Sequence, residues 1–182
     1  MADYQPEPGA VPDGVRLTHG VIRSEFKERT TTAAQAVARR LDPHGHGRPT
    51  CHRHELLLPR SVPDTLHDVD VLVARYEAQL IPGQQDLLGI TTVRFDVDVP
   101  AHEQWELARG WVRSMLVEEG LAVLLVQHLP GLAGRAHLPH CHALWPVRAL
   151  RGSYFLQFTK LAGPGAKAAL AESWAGWIAA QG

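Results

Sequence analysis

Three histidines in the C-terminal half have the spacing and the neighbours expected of metal ligands. His128 ends the apolar run LAVLLVQ, and the pair His140 and His142 opens a second apolar run after a loop rich in glycine and proline. Residues two apart in a strand project from the same face, so an antiparallel return from His128 can bring a third imidazole beside the pair. Three neutral imidazoles hold a divalent ion and leave positions open for water or substrate. The spacing therefore predicts a catalytic-type metal site.

The histidine pattern also has simpler explanations, because the chain contains 11 histidines. His137 lies in the loop between the two runs and fits a surface position. If no ion binds at His128, His140 and His142, the alternative metal site is a second histidine group, namely His44, His46, His52 and His54. Imidazole suits Zn, Mn, Ni or Co, and Mg with difficulty, so the identity of the divalent metal ion stays open. Glu55 or Asp96 could orient a histidine, although an exposed strand carboxylate needs no such role.

Positive charge is concentrated in the first third of a chain whose net charge is only −1. Between Arg16 and Arg60, nine lysines and arginines face four acidic residues, and five histidines lie in the same segment. A basic face of this kind can follow a phosphate backbone. A solvated surface with a histidine-rich loop would give the same composition, so charge alone leaves both interpretations open.

The length of 182 residues predicts one domain, over 15–182, after a loose proline-rich N-terminal tail at 1–14. We find no apolar run of about 18 residues and no secretion signal, so a membrane partner is not expected. Cys51 and Cys141 are too few for a disulfide framework. Two free thiols favour a cytoplasmic protein.

The hydrophobic pattern predicts the elements that must position the three histidines. Alternating or continuous apolar residues predict strands over 14–22, 52–59, 90–99, 121–127, 141–147 and 154–158. A helical period and capping residues predict helices over 33–41, 66–80, 100–120 and 165–180. The expected fold class is α+β, with an antiparallel sheet and helices packed on one of its faces.

Several segments together resemble the MobA/MobL family of plasmid-mobilisation relaxases, which belong to the HUH endonucleases. The family's first strand and alanine-rich helix correspond to THGVIRSEFKERTTTAAQAVARRL, and its histidine-, acid- and leucine-rich strand to HRHELLLPRSVP. The following strand, helix and strand correspond to TTVRFDVDVPAHEQWELARGWVRSMLVEEGLAVLLVQH, and the Pro-His-x-His signature to HLPHCHALWPVR. The closing tryptophan-containing helix corresponds to KAALAESWAGWIAAQ.

The resemblance implies a ferredoxin-like sheet that carries a three-histidine metal site at His128, His140 and His142. Family members bind single-stranded DNA near a transfer origin, together with other transfer-complex proteins. A tyrosine attacks the scissile phosphate and leaves a covalent 5′-phosphotyrosine and a free 3′-OH. The expected DNA contacts are basic residues of the first third, namely Arg23, Lys27, Arg39, Arg40 and Arg53.

The chain departs from the family at the nucleophile. The family's tyrosine is expected on the alanine-rich helix, where AAQAVARRL places Val37. Tyr4 falls in the tail that we expect to be loose, and Tyr76 fits a buried helix face. Tyr154 follows the two predicted strands that carry His128, His140 and His142, so it is the candidate catalytic residue. It could instead pack in the core.

Three functions follow from these patterns. The first is a relaxase-like domain that nicks single-stranded DNA in plasmid mobilisation or conjugative transfer, or that descends from such an enzyme. The second is a non-catalytic DNA-binding module with the same fold and metal. The third is a metal-dependent phosphodiester hydrolase that uses water as the nucleophile and needs no tyrosine.

Overall fold

The computed structural model describes residues 3–47 and 49–181 and contains ten strands and four α-helices within them. The strands are β1 (Gln5–Pro6), β2 (Leu17–Arg23), β3 (Glu25–Phe26), β4 (Arg29–Thr30), β5 (Arg53–Leu57), β6 (Asp86–Arg94), β7 (Val123–His128), β8 (His140–Pro146), β9 (Arg148–Arg151) and β10 (Tyr154–Phe158). The helices are α1 (Ala33–Leu41), α2 (Val69–Glu77), α3 (Ala101–Val112) and α4 (Ala166–Ala179). A π-helical turn over Arg113–Val117 continues α3. No helix within the described ranges is both long and apolar enough to cross a bilayer.

Six strands form one antiparallel sheet in the order β1-β2-β6-β8-β7-β5. Two further ribbons pair β3 with β4 and β9 with β10. The predicted α+β class, with helices packed on an antiparallel sheet, is confirmed. The sheet places β7 and β8 side by side, between β6 and the edge strand β5.

The prediction that helices cover only one face of the sheet is wrong. Helices α3 and α4 pack on one face, where Trp105 and Trp174 share a core with Trp145 of β8. Helices α1 and α2 pack on the other face, where Val37 and Tyr76 lie in a second core. The physical reason is the continuous apolar run over 121–127, because a strand that is apolar on both sides must be covered on both sides.

Local sequence explains the start of α1. Thr32 accepts a hydrogen bond from the backbone N–H of Gln35 at 3.2 Å, and the Gln35 side chain accepts one from the backbone N–H of Thr32 at 3.2 Å. This reciprocal pair is a capping box, which satisfies two amide groups that the first helical turn leaves free. The helix therefore begins where the sequence predicts, and its last turn carries Arg39 and Arg40.

The N-terminal tail, predicted to be loose, makes specific contacts from residue 3 onward. We call residues 3–9 the N-terminal strap. Its strand β1 pairs with β2, and the Glu7 carboxylate accepts hydrogen bonds from the backbone N–H groups of Gly165 at 2.6 Å and Lys167 at 2.8 Å. The Tyr4 ring lies so close to Gly20 that a Cβ there would stand 2.5 Å from Tyr4 Cδ2. These anchors could not be expected from composition, because each depends on a partner distant in sequence.

Candidate metal and nucleic-acid site

The sheet brings the three predicted histidines together. In the register of β7 against β8, His128 stands directly opposite His140. The ring centroids are 5.3 Å apart for His128 and His140, 5.2 Å for His128 and His142, and 4.8 Å for His140 and His142. The three side chains lie on the same face of the sheet as α1. We call them the histidine cluster.

Hydrogen bonds orient two rings of the histidine cluster. His140 Nδ1 lies 2.9 Å from the backbone oxygen of Leu138, and His142 Nδ1 lies 2.7 Å from Thr92 Oγ1. For His140 and His142 these bonds occupy Nδ1 and leave Nε2 as the nitrogen available to an ion, which is the usual arrangement around histidine ligands.

The histidine cluster is uncharged at neutral pH. Burial lowers the pKa of His142 well below its usual range, and the neighbouring His140 and Arg40 charges add to the effect. Burial likewise lowers the pKa of His128 to about 4, again with contributions from His140 and Arg40, and it lowers the pKa of His140. A neutral imidazole is the form that binds a metal ion, so the donor chemistry fits a divalent cation.

The histidine cluster is nevertheless not a preformed metal centre. Across residues 3–47 and 49–181, no group of three or more histidine, cysteine, aspartate or glutamate side chains is arranged to hold an ion. Zinc–imidazole bonds are about 2.0–2.1 Å long, so neighbouring rings must also aim their nitrogens at one common point. The structure shows three imidazoles in mutual contact range, and metal binding stays a prediction.

The alternative histidine group is more dispersed. His44 and His46 have ring centroids 5.9 Å apart, and His44 Nδ1 is 3.3 Å from an Arg135 nitrogen. His54 Nδ1 instead lies 3.5 Å from the sulfur of Cys51. The side chains of this second group are therefore no closer together than those of the histidine cluster.

A cavity of about 840 Å³ opens onto the histidine cluster. Its wall carries four arginines, namely Arg29, Arg39, Arg40 and Arg135. It also carries three further histidines and two acidic residues, namely His44, His52, His137, Asp3 and Asp42. We call this space the histidine cavity. A pocket lined by neutral imidazoles and an excess of guanidinium groups favours a negatively charged ligand.

The predicted DNA contacts separate into three groups. Arg39 and Arg40 line the histidine cavity, whereas Arg23 and Lys27 line an adjoining pocket of about 220 Å³ that shares Arg29 and Arg39 with it. Arg53 is elsewhere, with its guanidinium 4.5 Å from the Trp105 ring on the α3 side. Arg29 and Arg135 also line the histidine cavity but are not among the predicted DNA contacts. For Arg135 a signal existed, because it lies in the loop between the strands that carry His128 and His140.

The three tyrosines have different environments. Tyr154 is 67% exposed on β10 and does not line the histidine cavity, so its catalytic assignment stays a prediction that the geometry does not favour. Tyr76 is buried, and its hydroxyl donates to the backbone oxygen of Leu87 at 2.6 Å. Tyr4 does line the histidine cavity. Val37, at the family's tyrosine position, is 6% exposed and packs in the core beneath α1.

The two carboxylates proposed as supports for the histidines bind arginines instead. Glu55 accepts hydrogen bonds from Arg109 at 2.7 and 2.9 Å, and these bonds, with the charges of Arg109 and nearby arginines, lower its pKa although burial acts in the opposite direction. Asp96 pairs with Arg16. The groups that orient His142 and His140 are the Thr92 hydroxyl and the backbone oxygen of Leu138.

Comparisons with known proteins agree with this architecture. No family model matches the chain, and no curated protein matches it. A solved structure from Staphylococcus aureus, reported as the molecular basis of vancomycin resistance transfer, is similar with a TM-score of 0.70 and 16% sequence identity. The similarity covers 92% of this chain and 90% of that chain. At this identity the likeness shows a shared fold.

Proposed function

We propose that this chain is a relaxase-like domain that binds single-stranded DNA in conjugative transfer or plasmid mobilisation and holds a divalent ion at His128, His140 and His142. The observation that carries the proposal is the meeting of three neutral imidazoles with four arginines in one cavity. The fold likeness to a structure concerned with resistance transfer supports it, as does the MobA/MobL resemblance of the strand and histidine motifs.

The arginines and histidines of the histidine cavity have different roles in binding a phosphodiester. The guanidinium groups bind and position phosphate oxygens through paired, charge-assisted hydrogen bonds. The imidazoles hold the ion, which when bound would neutralise charge that develops on the scissile phosphate. Thr92 and the backbone oxygen of Leu138 fix the orientation of His142 and His140.

Tyr4 is the tyrosine best placed to nick DNA, because it alone of the three lines the histidine cavity. Attack of its phenolic oxygen on phosphorus would form a 5′-phosphotyrosine and release the 3′ oxygen, which takes up a proton to become a hydroxyl. A non-catalytic DNA-binding module is the second candidate function. It is favoured by the burial of Val37, since α1 then presents no nucleophile to the cavity.

Binding is tested with the full chain, Mn²⁺ and a fluorescent single-stranded oligonucleotide across a series of salt concentrations. We expect affinity to fall steeply with salt, with a logarithmic slope of roughly −0.7 for each phosphate contacted. A matched hairpin duplex serves as the comparison ligand. Absence of binding at low salt, or binding that ignores salt, would refute the proposal.

Nicking is tested by denaturing electrophoresis of the same mixtures, because a phosphotyrosine ester keeps labelled DNA on the protein. If the chain is active, Tyr4→Phe should abolish the adduct and Tyr154→Phe should leave it intact. Loss of the adduct in Tyr154→Phe alone would restore the assignment made from sequence. DNA binding without any adduct or cleavage would establish the non-catalytic module.

A further inference from the structure

A carboxylate of the chain itself occupies the arginines at the edge of the histidine cavity. Arg40 donates to the two Asp3 oxygens at 2.9 and 2.5 Å, in a fork-to-fork arrangement, and Arg39 Nε donates to Asp3 at 3.0 Å. The Arg40 side chain is 12% exposed and that of Asp3 is 25% exposed. Burial would raise the pKa of Asp3, but the hydrogen bonds and charges of Arg40 and Arg39 outweigh it and lower the pKa to about 2.

Arg39 and Arg40 lie in the histidine cavity, where the proposed function requires a DNA phosphate to bind. Both line this cavity together with His128, His140 and His142. Carboxylate and phosphate match a guanidinium fork in the same bidentate way, so a group that binds one can bind the other.

We propose that Arg39 and Arg40 form a phosphodiester seat, which Asp3 fills until a DNA phosphate replaces it. The proposal rests on the proposed function, since single-stranded DNA supplies the phosphate. A phosphodiester and a carboxylate each carry one negative charge, so the exchange preserves the charge balance of the seat. The N-terminal strap is then an internal competitor, tethered at a high effective concentration next to its site.

The attachment of the strap allows such an exchange. Strand β1 contains only two residues, and both are exposed. Beyond Asp3, the segment is anchored by the Tyr4 ring over Gly20 and by Glu7 at the first turn of α4. An arriving phosphate would take over the hydrogen bonds of the Arg40 guanidinium, so the exchange does not leave a largely buried charge without a partner.

The decisive measurement compares the dissociation constants of a fluorescent oligo-dT for Asp3→Asn and Asp13→Asn in the full chain at one salt concentration. Asp13 is likewise near the N-terminus, but it is exposed and lies outside the strap. Each variant removes one negative charge, so the general gain in attraction is shared. We expect Asp3→Asn to bind about tenfold more tightly than Asp13→Asn, equivalent to about 1.4 kcal/mol. Equal affinities, or weaker binding by Asp3→Asn, would overturn the proposal.

Gly20→Ala provides a second route that leaves Asp3 unchanged. The new Cβ would stand 2.2 Å from the Gln5 backbone oxygen and 2.5 Å from Tyr4 Cδ2, so the strap must move away. We expect this variant to bind DNA more tightly than the parent chain, and Arg40→Gln to cancel the gain. Unchanged affinity in a folded Gly20→Ala protein, checked by circular dichroism, would contradict the proposal.

The phosphodiester seat and the proposed function can be refuted by separate measurements. If no variant binds DNA at low salt, the proposed function is refuted, and inorganic phosphate then tests the seat by calorimetry. Tighter phosphate binding by Asp3→Asn than by Asp13→Asn would sustain an anion seat at Arg39 and Arg40. Equal or undetectable phosphate binding by the two variants would eliminate it.

Discussion

His19 makes the stability of this protein sensitive to mild acid. Its side chain is 1% exposed on β2, where the ring stacks on Trp145 with centroids 5.7 Å apart. Nδ1 lies 2.9 Å from Thr91 Oγ1, whereas Nε2 has no hydrogen-bond partner among the described residues. Burial lowers the pKa of His19 to about 4, although the Glu7 carboxylate acts in the opposite direction. The folded protein therefore resists protonation of this ring.

The sign and size of the effect follow from that pKa. An unfolded histidine has a pKa of 6.5, so between pH 6.5 and about 4 the unfolded chain binds a proton that the folded chain does not. The contribution of His19 to folding is complete above pH 6.5 and is lost as the pH falls toward 4. At about 1.4 kcal/mol for each pH unit in that window, the loss amounts to roughly 3 kcal/mol.

Urea unfolding at pH 7 and pH 4.5 tests this reasoning. The clustered histidines lose stability in the same window, so His19→Gln must be compared with the parent chain and with exposed His67→Gln as the control. Between pH 7 and pH 4.5, we expect the free energy of unfolding to fall by about 2–3 kcal/mol less for His19→Gln than for the parent chain or His67→Gln. Equal losses in all three would refute the claim that His19 is neutral and buried.

Two further predictions concern the metal and the packing of the sheet. The double variant His140→Ala and His142→Ala should lose stoichiometric Mn²⁺ or Zn²⁺ binding by calorimetry, and unchanged binding would place the ion elsewhere, with the group around His44 as the first alternative. Gly89→Ala should destabilise the fold by about 1–3 kcal/mol in urea unfolding, because its Cβ would stand 2.5 Å from the Trp145 ring. Gly176→Ala, which meets nothing within 4 Å on α4, is the control and should be neutral or stabilising.

The sequence predicts the histidine cluster well because strand periodicity determines it. The two-residue spacing puts His140 and His142 on one face, and the apolar run before His128 identifies the neighbouring strand. The capping residues Thr32 and Gln35 similarly determine where α1 begins. Such features depend on residues close in the chain, so local rules are sufficient for them.

The rest of the site depends on contacts between distant segments. Tyr4 lines the histidine cavity because Asp3 reaches arginines more than thirty residues away, and no local pattern encodes that path. Arg53 belongs to the predicted basic segment but projects toward Trp105, because alternation along β5 places it on the α3 side. Charge counted along a sequence thus identifies a basic segment, but not which of its side chains share a surface.

The register of β7 against β8 determines the position of the histidine cluster independently of much of the cavity wall. His128, His140 and His142 are fixed by strand pairing, whereas the loop over 129–139 supplies much of the cavity wall, including Arg135 and His137. Changes in the composition of residues 129–137 would therefore reshape the cavity wall and leave in place the Leu138 oxygen that orients His140. The fold can in this way vary the wall of the cavity through one connection while the histidine cluster stays constant.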